Sequence, residues 1–202
     1  MNHAPASALL EETLRHLEKG GLALLPVDTV PGLAARADLP TALDRMTAAK
    51  SRPGDKVYSL VFRDLAQVEE WLKPEPGLMD GLARLLPGPL TVVVPGTPRL
   101  ASFCAAWGEG VGVRLPGPCP CDALLEALPW PLALSSANQS GAATPRRMSE
   151  VDPRLAALAQ VWPGDCPLGE ASTVLDLRGG RPLVLREGVW SLAQVEAAWG
   201  RA

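Results

Sequence analysis

The chain has 202 residues, 47% of them hydrophobic and 20% charged, and a formal net charge of −3. That length suits one large domain with a single core, and the acidic balance excludes a strong overall attraction to nucleic acid while leaving room for a local basic groove. No apolar run approaches the roughly 20 residues that cross a bilayer, and the N-terminus lacks a basic-then-apolar signal pattern, so a soluble, cytoplasmic protein is expected.

Residues 7–19 place Leu10, Leu14 and Leu17 on one helical face, with Ser7 as the cap and Gly20-Gly21 as the stop. A first strand follows at 22–25. It ends in Pro26-Val-Asp-Thr-Val-Pro-Gly-Leu33, whose two prolines and one glycine read as irregular structure. Asp38 and Pro40 open a helix to about Ala49, which runs into the basic loop Lys50-Ser-Arg-Pro-Gly-Asp-Lys56 before a strand at 57–62. Two of the four lysines lie in that loop. Asp64 with Gln67 resembles a capping box for a helix to Leu72. Another helix covers 78–86, and Pro87-Gly-Pro-Leu-Thr91 turns into a strand at 90–94.

A strand at 111–115 carries Arg114, and residues 121–128 form a helix. The apolar strand that starts at Leu132 ends in Ser135-Ser-Ala-Asn-Gln-Ser-Gly141. Those small residues leave little bulk over the backbone, so N–H groups and short polar side chains meet a ligand closely; taken alone, the stretch reads equally as an ordinary polar turn. Arg146 and Arg147 precede a helix at about 149–160, strands at 173–177 and 183–186 close the sheet, and Ser191-Leu-Ala-Gln194 caps a final helix. The 21 prolines, about twice the usual share, sit between periodic segments and stiffen loops. With no repeat or linker-like tract, residues 1–202 read as one α/β domain. Its sheet has about seven strands, mixed because some connections are too short for parallel crossovers.

Several familiar motifs are absent: there is no phosphate-binding Gly-x-x-x-x-Gly-Lys-Ser/Thr loop, no Gly-x-Ser-x-Gly elbow and no His-Glu-x-x-His. Cys104, Cys119, Cys121 and Cys166 form no Cys-x-x-Cys pair, so a zinc site would need scattered ligands. What the loops do contain is a set of cations and small polar groups at element ends. Lys50, Arg52 and Lys56 share one loop, Arg114 and Arg186 end strands, and Ser136, Asn138 and Ser140 follow another. Brought to one face, they form a concave basic site for a polyphosphate, since Arg binds phosphate oxygens in a forked geometry and Lys supplies a compact charge.

Seven segments, in order, carry a resemblance: Pro26-Val-Asp-Thr-Val-Pro-Gly-Leu33, Lys50-Ser-Arg-Pro53, Leu86-Pro-Gly-Pro-Leu-Thr91, Val111-Gly-Val-Arg-Leu-Pro116, Ser135-Ser-Ala-Asn-Gln-Ser-Gly141, Ser172-Thr-Val-Leu-Asp176 and Leu185-Arg-Glu-Gly188. The chain resembles the YrdC-like (YrdC/YciO) family from about Gly20 to Gly188, in its short, single-domain form. The resemblance implies a YrdC-like twisted mixed sheet with flanking helices. It also implies a synthase that makes L-threonylcarbamoyladenylate and pyrophosphate from L-threonine, bicarbonate and ATP, with Mg²⁺ accompanying the ATP. A tRNA-modifying transferase complex is then the expected partner, using the product to place N6-threonylcarbamoyl on adenosine 37, and direct RNA binding is a further expectation. The family's paired motifs fall on Lys50 and Arg52, given catalytic roles, and on Ser136 and Asn138. Lys56, Arg114 and Arg186 complete the implied ATP site, and Thr29 and Ser172 the implied threonine site.

The residue types suit that chemistry. A carbamate carboxylate must attack the α-phosphorus of ATP, so two anions are brought together and pyrophosphate leaves; fixed positive charge meets this need without a protein nucleophile. One departure stands out: where the family commonly has Pro-Thr-Asp/Glu-Thr-Val-Tyr-Gly, this chain has Val27 and Pro31 in the second and sixth places. Pro31 removes an aromatic ring and a backbone donor. The change bears on the amino-acid pocket more than on the ATP site, and keeps open the reading of a paralogue with another substrate that acts as an RNA- or nucleotide-binding module.

Overall fold

The protein is described by a computed structural model over residues 4–51 and 57–200. Helix α1 (Ala4–Glu18) precedes a hairpin of β1 (Ala23–Leu25) and β2 (Gly32–Arg36), and α2 (Pro40–Ala49) leads towards β3 (Ser59–Val61). Helices α3 (Leu65–Leu72) and α4 (Pro76–Leu85) come before β4 (Leu90–Val94), and the short α5 (Pro98–Ala101) before β5 (Val111–Arg114). Next are α6 (Asp122–Glu126), β6 (Leu132–Ser136), α7 (Pro153–Ala156) and β7 (Gln160–Val161). The chain closes with β8 (Thr173–Asp176), β9 (Leu183–Arg186) and α8 (Leu192–Trp199).

These strands form one sheet in the order β7-β1-β2-β6-β3-β5-β4-β8-β9. It is mixed: β1/β7, β3/β5 and β4/β8 pair in parallel, the other neighbours antiparallel. Apolar side chains such as Leu33, Leu60, Val92, Val113 and Leu175 are buried in the core. Helices α1 and α2 pack against β2, and α4 against α8. Among the described residues no helix is long and apolar enough to cross a membrane.

The sheet has nine strands rather than about seven. Strand β2, Gly-Leu-Ala-Ala-Arg, carries small residues and no β-branched one, so strand propensity is silent there. It is fixed instead by pairing on both sides, with β1 and β6. Strand β7 falls where a helix over 149–160 was expected. Pro153 has no N–H and pushes Asp152 into extended backbone, so the segment divides into a 3-10 turn at Met148–Glu150, the four-residue α7 and β7.

Local signals fared unevenly. Ser7 lies inside α1 rather than at its cap, and α2 is entered through Leu39 without a side-chain cap, because Asp38 is paired with Arg36. The Ser191–Gln194 capping box is present. At α3 the Asp64 carboxylate accepts from the Gln67 N–H at 2.7 Å, while the Gln67 side chain accepts from Arg63 N–H rather than from that of Asp64. The Arg63 side-chain bond, then the Gln67 N–H, holds the Asp64 carboxyl below the ordinary carboxylate range. A lowered native pKa gives stability that is present above the unfolded-state value and lost as pH falls through the native one. Asp64→Ala is therefore expected to cost about 1 kcal/mol at pH 7 in urea unfolding, with the gap between variant and wild type narrowing below about pH 4.

Candidate active site

The β1–β2 connection, residues 26–31, is buried along its whole length. A buried loop must pair every backbone polar group, and its two prolines remove two donors that would otherwise need partners. Three of its carbonyls are met from distant segments: Leu168 N–H donates to Asp28 O, Ala137 N–H to Pro31 O, and the Cys121 thiol to Pro26 O. Pro31 is thus accommodated as an acceptor beside β6, and β2 starts directly after it.

Beside this loop one face of the sheet opens into a cavity of about 440 Å³. Register explains its floor. Gly32 lies opposite Ser136, Ser59 opposite Leu134, and Gly112 opposite Val93. Gly32 and Gly112 keep that floor low, since an added Cβ would meet Leu134 Cδ1 at 2.6 Å and Thr91 Cγ2 at 2.8 Å respectively. Two guanidinium groups line the wall, those of Arg114 and Arg186.

Arg114 is 5% exposed and Asp28 2%. The Arg114 Nη2 donates to Asp28 Oδ1 at 2.8 Å and to Thr29 Oγ1 at 3.0 Å, and Asp28 Oδ2 accepts the Gly117 N–H at 3.0 Å. Burial pushes the Asp28 carboxyl above the ordinary range, against the pull of Arg114 and of the Gly117 and Thr29 N–H groups. The same burial lowers the Arg114 pKa, opposed by Asp28, and arginine stays charged regardless. Arg186 is less enclosed. Its Nη2 donates to the Ser172 carbonyl at 2.8 Å, and the Ser172 hydroxyl shares a hydrogen bond with Thr91 at 2.9 Å.

Lys50, 3% exposed, extends from the C-terminus of α2 to the turn after β6. Its ammonium donates to the carbonyls of Ser136 and Asn138 at 2.5 and 2.6 Å. Ser140 N–H and the Gln139 side chain return to the carbonyls of Lys50 and Ala49, and the Ser136 hydroxyl donates to Asn138 Oδ1. Lys50, Ser136 and Asn138 therefore meet as one clasp, with the ammonium on main-chain oxygens and Ser136 at the cavity wall.

Arg114, Arg186, Ser136 and Ser172 share the cavity. Thr29 is fully buried, its hydroxyl turned to Arg114. Arg52 and Lys56 lie outside the described residues. Asp28, Ser59 and Thr91 were missed by sequence reasoning; for Asp28 the available signal was a single carboxylate in a proline-bounded loop, which a search for cations passes over. No group of three or more His, Cys, Asp or Glu able to hold a metal ion occurs among the described residues.

Residues 15–188 match the family model for Sua5, YciO and YrdC, described as telomere recombination. The chain belongs to the Sua5/YciO/YrdC family. Threonylcarbamoyl-AMP synthase of Bacillus subtilis (strain 168) is 33% identical to it over 203 residues, which is 98% of this chain and 56% of that protein. The solved structure of Pyrococcus abyssi Sua5 complexed with L-threonine superposes with a TM-score of 0.85 at 30% identity, covering 95% of this chain and 57% of that one. The chain thus spans little more than half the length of these two relatives. The fold of Escherichia coli YciO is also shared, with a TM-score of 0.75 at 23% identity and 93% of each chain covered. The chain shares that family's α/β fold, with nine strands in the mixed sheet among its described residues.

Proposed function

We propose that this Sua5/YciO/YrdC chain is a threonylcarbamoyl-AMP synthase, acting in the cytoplasm to supply a tRNA-modifying transferase. The observation that carries the reading is the convergence of two distant motifs: the Lys50 ammonium on the Ser136 and Asn138 carbonyls, at the rim of a cavity whose wall bears Arg114 and Arg186. Relatives with that activity in their names support it.

In this reading the threonine amine and bicarbonate give a carbamate and water. The carbamate carboxylate then attacks the α-phosphorus of ATP, the α–β phosphoanhydride bond breaks, and pyrophosphate leaves with its electron pair. The protein's part is to hold two anions together, which fixed cations accomplish without reorganising as charge moves. Arg186, with Arg52 and Lys56 from the basic loop, takes the triphosphate and the charge growing on pyrophosphate. Ser136 and Asn138, fixed by Lys50, orient the nucleotide. Arg114 belongs with them in the ATP site, and Thr29 and Ser172 take the amino acid. Mg²⁺ would arrive on phosphate oxygens.

The test is incubation of the protein with ATP, Mg²⁺, bicarbonate and L-threonine. Pyrophosphate release should depend on threonine, and mass spectrometry should detect threonylcarbamoyl-AMP. A rate unchanged by omitting threonine rejects the assignment.

A further inference from the structure

We infer that Asp28 is the positioning residue of this site: its carboxylate fixes the plane of the Arg114 guanidinium and locks the 26–31 loop to the segment after β5, so that the remaining Arg114 donors are presented to an anionic group of the substrate. The inference rests on the synthase reading and adds to it a residue that touches no substrate.

Three observations carry it. Asp28 does not line the cavity, whereas Arg114 does. The carboxylate is held from two sides, by Arg114 Nη2 at 2.8 Å and Gly117 N–H at 3.0 Å, which ties the loop to a segment about ninety residues later. The guanidinium is only partly engaged. A guanidinium has five N–H donors; the two on Nη2 meet Asp28 and Thr29, and Nε is buried with no partner among the described residues. Arg114 lines a cavity of mixed polar and apolar character with its Nη1 donors unused among the described residues, so an incoming anion would meet those donors, and without its own carboxylate the guanidinium would be free to swing away from that anion.

The competing role for a buried pair is to close the fold only, and charge removal tells the two roles apart. Asp28→Asn keeps the shape but leaves a buried guanidinium without its counter-charge, so a lower Tm is expected whichever role holds. The double variant Asp28→Asn with Arg114→Gln removes both charges and is expected to regain most of that Tm. Steady-state kinetics of threonine-dependent pyrophosphate release then decide. If Asp28 acts through Arg114, Asp28→Asn lowers kcat/KM about fivefold or more, chiefly through KM, and makes no further difference when added to Arg114→Gln. The inference is overturned if the double variant regains wild-type kcat/KM along with its Tm, or if the two effects multiply. A wild-type protein that releases no pyrophosphate in a threonine-dependent way defeats the synthase reading itself, and this inference with it; an active wild type with the wrong variant pattern defeats the inference alone.

Discussion

Lys50→Ala is expected to lower threonine-dependent pyrophosphate release at least ~tenfold, equivalent to ~1.4 kcal/mol of transition-state stabilisation. The ammonium bonds two main-chain oxygens, at Ser136 and Asn138, in a site where the side chain is 3% exposed. Losing it takes a charged donor from two part-buried carbonyls, of which that of Ser136 keeps the Asn138 N–H, and the turn gains freedom at the atoms proposed to orient the nucleotide. A displacement of about 1 Å at a positioning group costs up to a hundredfold in rate. Lys50→Met separates stem from charge, since it keeps the apolar length and removes the donors. Both variants should lose rate together and show a Tm lowered by about 2–4 °C per kcal/mol. Wild-type kinetics in both would reject the clasp as a functional element.

The largest loss of stability is expected from Trp107→Ala, at about 3–5 kcal/mol, against a total of about 5–15 kcal/mol for a domain. Trp107 is 0% exposed, and its indole N–H donates to the Tyr58 carbonyl at 2.9 Å. Its backbone is equally confined, with the carbonyl 2.0 Å from where a Cβ on Gly96 would lie. Tyr58 and Ser59 line the cavity, so a void under Trp107 also loosens the floor of the site. Trp107→Phe retains much of the volume while removing the donor, and is expected to fall nearer ~1 kcal/mol, the contribution of one hydrogen bond. Urea unfolding checks both; an alanine variant that loses under about 1 kcal/mol would mean that the pocket collapses around the change.

How much of this was legible in the chain depended on the range of the interaction involved. Strands rich in Val and Leu, such as β4 and β8, declare themselves by composition, and the caps at Asp64 and Ser191 are contacts over three residues. The meeting of Lys50 with Ser136 and Asn138 was anticipated through a resemblance, since no local pattern relates residues 86 and 88 positions apart. Its physical form was not anticipated: the lysine bonds main-chain oxygens of the turn. Strand β2 stayed hidden because Gly32, Ala34 and Ala35 have small side chains and become a strand only by lying between β1 and β6. Asp28 stayed hidden because a basic site directs attention to cations, whereas a buried cation requires a counter-charge whose position only the fold reveals.

The sheet order has a consequence for how the protein comes into being. Strand β8 enters beside β4, with Thr173 alongside Leu90, and β7 enters beside β1, with Gln160 alongside Ala23. Contacts between such remote segments raise the contact order and slow folding, because loop-closure entropy is spent before the pairings form. Ser172, Val174 and Arg186 form one side of the cavity, opposite Gly32 and Ser136. A chain synthesised only as far as residue 160 carries the segments of the floor and of the lysine clasp but lacks the wall that holds Arg186. Such a nascent chain has half a binding site, and ligand cannot help it fold until synthesis has passed β9.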